Sequence, residues 1–261
     1  MDDLLHISPE FNWNIENPTQ NEFIYSASSI GLNSSVLFQH FLQLAIRSHS
    51  RAVVLSLTSS YEDLTAICKR NGLTIEESIL LLCVDKVEEE YLNNTEILDS
   101  VQGSTKPFPS SSLSPTTPCR HCTLSEAFSS FMTAVQETSQ DTSSSIFFLI
   151  DDIHLLGDSD TSIITRVREL RHYIEDHFQQ FTLMISHPCG LDHETELYHQ
   201  LVHMSDLQFL LMPLSTGNSI TVHGSLVIHR TVTNNQFRSI TIRRHVKLSD
   251  NTIKLFIPGT I

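Results

Sequence analysis

The sequence predicts an α/β domain on a mostly parallel central sheet flanked by helices, ending in a C-terminal antiparallel β-meander. Three observations predict it. Short runs that are apolar throughout, such as Ala52–Leu57, Ile79–Val84 and Ile146–Ile150, alternate with amphipathic helical segments. Strands without a polar face belong to sheets covered on both sides, as parallel sheets are by their crossover helices. From Leu207 onward the helical periodicity stops, and four strand-like runs follow with turn signals between them. Finally, the 261 residues are 40% hydrophobic and only 18% charged, enough apolar material for the core of one large domain.

Residues 1–21 read as an N-terminal extension anchored by Phe11, Trp13 and Ile15, and residues 22–261 as a single domain. Phe23-Ile24-Tyr25 is a short buried strand that runs into a small-residue loop, Ser26-Ala27-Ser28-Ser29-Ile30-Gly31. The helix after it shows Leu37, Phe41 and Leu44 on one face. The strand Ala52–Leu57 leads to a helix capped by Ser60 with Asp63, carrying Leu64 and Ile67 and ended by Asn71-Gly72. Ile79–Val84 is the third strand. Between about residues 93 and 122 the alternation breaks. Ser104–Pro118 is rich in Ser, Thr and Pro and has too little apolar surface to offset the entropy of ordering. It is expected to be a disordered surface insertion rather than a domain boundary, because the alternation resumes after it.

Thr123 and Glu126 then predict a capping box for a helix with Leu124, Phe128, Phe131 and Val135 on one side. The strand Ile146–Ile150 ends in Asp151-Asp152. Ile163, Val167, Leu170 and Ile174 mark another helix, Phe181–Ser186 a strand, and Leu197, Leu201 and Met204 a last helix. The tail strands are Leu207–Met212, Ile220–His229, Ser239–Leu248 and Thr252–Ile257, with turns at Gly217-Asn218, Asn234-Asn235 and Asp250-Asn251.

Two motifs bear on nucleotide chemistry. A phosphate-binding P-loop, G-x-x-x-x-G-K-[ST], needs glycines for close backbone approach, a lysine for the β/γ charge and a hydroxyl for magnesium. Here the frame after the first strand keeps Gly31 but places Ser26 at the first glycine, Leu32 at the lysine and Asn33 at the hydroxyl residue. An ordinary strand-to-helix turn gives the same pattern, and either way the triphosphate charge goes unneutralised. Phe147-Phe148-Leu149-Ile150-Asp151-Asp152 is similar to a Walker B strand, which presents an acid near the phosphate site. An acid that positions magnesium has little to act on without a phosphate cradle, and Asp152 alone fits a cap for the next turn. The order and distance of the two motifs point to a RecA-like sheet, with no catalytic residue and no cofactor expected.

Other chemistries find less support. Cys119-Arg120-His121-Cys122 has the C-x-x-C spacing of half a zinc site or a redox pair, but no second half follows, so two free thiols in a loop are expected and no metal site. The fourteen histidines are scattered; His199 and His203 share a helix face with no acid between them, which fits a solvated face better than a metalloprotease site. There is no G-x-S-x-G elbow and no glycine-rich dinucleotide fingerprint. The five cysteines, three of them in apolar patterns, suit a reducing cytoplasmic or nuclear compartment. The start, MDDLLHISPEF, predicts no signal peptide, and no run is long and apolar enough to span a bilayer.

The formal net charge of −14 rules out nucleic-acid binding through a general positive field. Residues 226–261 nevertheless hold Arg230, Arg238, Arg243, Arg244, Lys247 and Lys254 against Asp250, a local +5 that leaves −19 for the remainder. In the strand Ser239–Leu248, alternation puts Arg243, His245 and Lys247 on one face and Arg244 and Val246 on the other. Arg243, Arg244 and Lys247 are candidate phosphate contacts, or else the charges of an edge strand that resists aggregation.

Taken together, these residues resemble the family of Elongator subunit six. The resemblance is carried by Phe23-Ile24-Tyr25 leading through a lysine-free P-loop-like turn into Val36–Leu42, and by Leu149-Ile150-Asp151-Asp152. Thr221-Val222-His223-Gly224-Ser225-Leu226 and the closing run Lys247–Phe256 extend it. It spans nearly the whole chain outside residues 1–20 and 93–122. It implies a non-catalytic, pseudo-ATPase subunit that forms a hexameric ring with subunits four and five, two copies of each. The ring binds tRNA and serves C5 modification of wobble uridine by a separate catalytic subcomplex. The alternatives are an active RecA-like ATPase or recombinase relative, which Leu32 tells against, and a pseudo-ATPase scaffold with no role in tRNA.

Overall fold

The computed structural model describes residues 18, 21–29, 32, 35–84, 119–139, 144–157, 159–188, 195–214, 222–232, 238–249 and 252–257. Seven strands come first in the chain: β1 (Glu22–Ser28), β2 (Arg51–Ser56), β3 (Ile79–Val84), β4 (Cys119–Cys122), β5 (Ile146–Ile150), β6 (Phe181–His187) and β7 (Leu207–Met212). Three more close it: β8 (Gly224–Val232), β9 (Arg238–Ser249) and β10 (Thr252–Phe256). The helices are α1 (Ser35–Arg47), α2 (Tyr61–Arg70), α3 (Ala127–Thr138), α4 (Asp160–His177) and α5 (Glu196–Met204). All ten strands share one sheet in the order β10-β9-β8-β7-β1-β6-β5-β2-β3-β4. From β7 to β4 every pairing is parallel; from β7 outward through β8, β9 and β10 every pairing is antiparallel.

Alternation along the strands builds a core on each side of the sheet. Val54, Phe147 and Leu149 point toward α1 and α2, while Val53, Leu55, Phe148 and Ile150 point toward α3, α4 and α5. Because both faces are covered, β1, β5 and β6 are buried along their whole length. Fully burying one such Phe, Leu or Ile side chain stabilises the fold by roughly 1.5–3 kcal/mol. The second core is fixed by aromatic edges as well: Phe148 meets Phe178 with ring centroids 5.0 Å apart at 70°.

Local chemistry sets the element ends. Ser60 and Asp63 form the predicted capping box on α2, and Asn71 closes it by donating to Cys68 O before Gly72 turns at φ 70°. The strands Ile79–Val84 and Ile146–Ile150 stand as expected, and Ile163, Val167, Leu170 and Ile174 are the buried stripe of α4.

The outer strands differ from the rest. Leu226, Ile228 and Val246 belong to the core under α1, with Ile242, Leu248 and Leu255 packed against it. None of the second core's residues comes from β8, β9 or β10. Ser225 and Val227 of β8 are buried on the opposite face as well, so one-sided burial, common in antiparallel sheets, is reached in β9 and β10.

Four expectations need correction. Cys119–Cys122, expected as a loop, is strand β4, paired in parallel with β3; two apolar cysteines flanking two polar residues suit a short edge that buries both faces at its ends. The expected loop from Ser26 onward starts later, since β1 runs to Ser28 between two parallel partners. No capping box starts α3: Thr123 Oγ1 donates to Glu126 Oε2 at 3.0 Å, a 3-10 turn spans Leu124–Glu126, and the α-helix begins at Ala127. The second of the expected tail strands starts at Gly224, not Ile220. The anchors Phe11, Trp13 and Ile15, the insertion as far as Pro118, and the turns at 217–218, 234–235 and 250–251 lie outside the described residues.

Candidate functional site

A cavity of about 300 Å³ opens at the C-terminal ends of the parallel strands, the crevice where open α/β sheets bind ligands. Leu32 reaches it from the β1–α1 connection, Ser35 from the first residue of α1, Thr58 and Ser59 from after β2, Asp151 and Asp152 from after β5, and Ser186 and Pro188 from β6 and just beyond it. The topology therefore brings together segments that lie far apart in the sequence.

The two aspartates do different work. Asp151 is buried, and its carboxylate is tied to the end of β2: Leu57 N donates at 2.5 Å, Thr58 Oγ1 at 2.6 Å, and Ser56 Oγ at 3.0 Å. Burial pushes its pKa up, and these hydrogen bonds pull it back only in part. Its oxygens are spent on holding the β2 turn. Asp152 sits in the left-handed region at φ 42° and ψ 64°, uncommon for a side-chain-bearing residue and tolerated best by Asp and Asn. Its Oδ1 is buried without a hydrogen-bond partner. Burial first, and the neighbouring charge of Asp151 second, raise its pKa to about 6.

Behind the cavity, His187 at the end of β6 is buried, with Nδ1 3.0 Å from Tyr25 Oη and its ring stacked on His154 at 5.7 Å. Burial, then the charge of His154, lower its pKa to about 4, so it is neutral at physiological pH. It packs and orients rather than carries charge.

Leu32 is half-buried and packs against the core under α1. Its partner is the backbone of Gly224: a Cβ built there would lie 3.2 Å from Leu32 Cδ1 and 2.7 Å from Met212 O. Gly224 is thus required by close approach, and the residue at the P-loop lysine position packs against the core beside it while lining the cavity. Ser26 is buried inside β1 and does not line the cavity, while Gly31 and Asn33 lie outside the described residues.

The lining therefore combines two carboxylates, four hydroxyls and two apolar side chains, and none of these eight residues is cationic. A triphosphate there meets, among the described residues, carboxylates and no counter-charge. Among the described residues no three His, Cys, Asp or Glu side chains converge as a metal requires. Ser35, Thr58, Ser59, Ser186 and Pro188 were not singled out from the sequence; their only signal is small residues at or just after the ends of apolar strands.

The C-x-x-C spacing makes no site. Cys119 joins the core under α1 and Cys122 the opposite core. Three residues of extended chain separate their Cα atoms by about 10 Å, beyond the reach of a disulfide. Cys68, Cys83, Cys119 and Cys122 are thiols outside any disulfide, and a hydrogen bond with Cys119 together with burial keeps Cys83 protonated. His199 and His203 are exposed on α5.

The candidate phosphate contacts lie elsewhere, on β9. Arg243 and Lys247 are exposed on its outer face. Arg244 is half-buried on the opposite face, its Nη1 donating to Arg243 O at 3.0 Å.

A family model described as Elongation complex protein 6 matches residues 5–249. A search of curated proteins finds no match.

Proposed function

Since the chain belongs to the Elongation complex protein 6 family and is therefore an Elongator subunit, we propose that it serves that complex as a non-catalytic, RecA-like member of its accessory half. It assembles with subunits four and five into a hexameric ring with two copies of each. The ring binds tRNA and supports C5 modification of wobble uridine, while the catalytic subcomplex performs the chemistry. The chain acts in the cytoplasm or nucleus, as its thiols outside any disulfide suit. No described helix is long and apolar enough to cross a membrane.

The observation that carries the non-catalytic reading is the strand-end cavity. A nucleotide-hydrolysing site needs positive charge on the β- and γ-phosphates and an acid free to hold magnesium. Here Leu32 packs against the core under α1, Asp151 is tied to the β2 turn, and among the described residues no cationic side chain lines the cavity. A strand-end crevice with this lining supports use of the fold as a scaffold. One domain over residues 22–261, with residues 1–21 as an extension, accompanies this reading.

Co-expression with subunits four and five tests the assembly. The expected outcome is one stable peak on size-exclusion chromatography containing two copies of each chain, which binds tRNA. A chain that elutes alone while subunits four and five pair without it would overturn the reading.

A further inference from the structure

The outer face of β9 and β10 brings exposed cations together across two strands. By register, Lys254 stands opposite Lys247, Phe256 opposite His245, and Val227 opposite Arg243. Alternation puts all of these on the face turned away from α1, because Val246, Leu248 and Leu255 fill the other one. Arg243, Lys247 and Lys254 are exposed, and His245 and Phe256 half-exposed. No Asp or Glu occurs in β8, β9 or β10, and no ion pair of the described structure engages these three cations.

Directly opposed like charges, about 5 Å apart at Cβ, destabilise an antiparallel pair. One lysine is enough to blunt an edge strand; a second directly opposite it adds repulsion without adding protection. An anion laid along the row offsets that repulsion. His245 and Phe256, which lie between Arg243 and the two lysines, select which anion. A nucleic-acid duplex hides its base faces in the stack, whereas unpaired nucleotides offer them to aromatic side chains while their phosphates follow a cationic track.

We infer that this face is a platform for unpaired RNA: Arg243, Lys247 and Lys254 follow the phosphates, and Phe256 and His245 stack the bases. The inference rests on the proposed tRNA role and narrows it to single-stranded segments. Arg244 takes no part, since it points to the other face. The chain's overall −14 charge confines the attraction to contact range, so binding is weak in the lone subunit and gains from the assembled complex.

The test uses the reconstituted complex with subunits four and five, and fluorescence anisotropy of labelled tRNA, a short oligouridylate and an RNA duplex of equal length, each at several salt concentrations. The wild-type complex binds oligouridylate more tightly than the duplex. Phe256→Ala weakens oligouridylate roughly tenfold with an unchanged salt slope, and Phe256→Trp restores it. Replacing Arg243, Lys247 and Lys254 by alanine flattens the slope by about 0.7 for each phosphate that is no longer neutralised. A complex that binds tRNA equally well with and without these changes overturns the platform and leaves the functional reading standing. Preference for the duplex, or displacement of oligouridylate by an acidic peptide, also overturns the platform. An assembled wild-type complex that binds no RNA overturns both.

Discussion

Strands β1 to β7 and strands β8 to β10 share one sheet, yet they bury themselves in different ways. The parallel strands are enclosed by α1 and α2 on one side and by α3, α4 and α5 on the other, and both faces carry aromatic and aliphatic side chains. The wing rests one face on the core under α1; on the other, Ser225 and Val227 of β8 are buried, while Arg243, Lys247 and Lys254 of β9 and β10 are exposed and His245 and Phe256 half-exposed. Two consequences follow. The parallel part holds most of the stability and has little freedom to change. The wing is where substitutions alter binding more than folding.

The sharpest way to break that contrast is to remove the same aromatic ring from each region. Phe148 is fully buried and packed edge-on against Phe178. Phe148→Ala is expected to cost about 3–5 kcal/mol, while Phe256→Ala on the half-exposed wing costs less than about 1 kcal/mol. Urea midpoints of the two variants read the difference directly; equal costs would mean that the outer face is covered after all.

Asp151 gives the next largest effect. Asp151→Ala leaves Leu57 N and Thr58 Oγ1 without their acceptor inside the fold. The expected destabilisation is about 2–3 kcal/mol, read from the same midpoints, with no change in any nucleotide-dependent property. ATP binding by the wild type that this change abolishes would instead assign the residue a nucleotide-binding role.

At the seam between the two regions, Gly224→Ala pushes a Cβ to 2.7 Å from the backbone oxygen of Met212. Backbone yields poorly, so about 1–3 kcal/mol is expected, visible as a lowered thermal midpoint. A neutral outcome would show that the wing slides freely against β7.

Asp152 makes a smaller, pH-dependent contribution. Its folded pKa of about 6 stands above the ordinary value of 3.8, so the folded state binds the proton more tightly than the unfolded chain. Stability is then greatest below pH 3.8 and declines as pH rises from there to about 6. Asp152→Asn should therefore stabilise the protein at pH 7.5 and leave it nearly unchanged below the ordinary aspartate pKa. Solvent screening of this partly exposed group limits the gain to about 1 kcal/mol. His187 acts in the opposite direction: its folded pKa of about 4 lies below 6.5, so stability falls with pH through that interval. Urea titrations across pH separate the two, because only the decline below pH 6.5 disappears in His187→Gln.

Much of this architecture was legible in the sequence because its signals are local. Ser60 with Asp63, the stripe of α4 and the unbroken apolar run of β5 each specify an element within a few residues. Two kinds of feature were not legible. Cys119–Cys122 lacks a strand's usual length and follows a Ser/Pro-rich stretch, so only its pairing with β3 makes it a strand. Thr123 with Glu126 spells a capping box, but a 3-10 turn intervenes and the pair bonds side chain to side chain. In the site, Leu32 and the aspartates were visible as a defective frame and an acidic strand end. The locking of Asp151 by the β2 turn was not, because it joins positions 94 and 95 residues apart. The wing's cationic face was half-visible: alternation grouped Arg243, His245 and Lys247, whereas Lys254 and Phe256 joined them only through the register of β10 with β9.

Whether the strand-end crevice has ceased to be a nucleotide site is tested most directly by isothermal calorimetry of Mg-ATP with the purified chain. No saturable heat is expected for the wild type. None is expected for Leu32→Lys either, whose side chain starts from a position packed against Gly224 and faces a cavity where the Asp151 carboxylate already serves the β2 turn. A micromolar dissociation constant for the wild-type chain would contradict the loss of nucleotide binding.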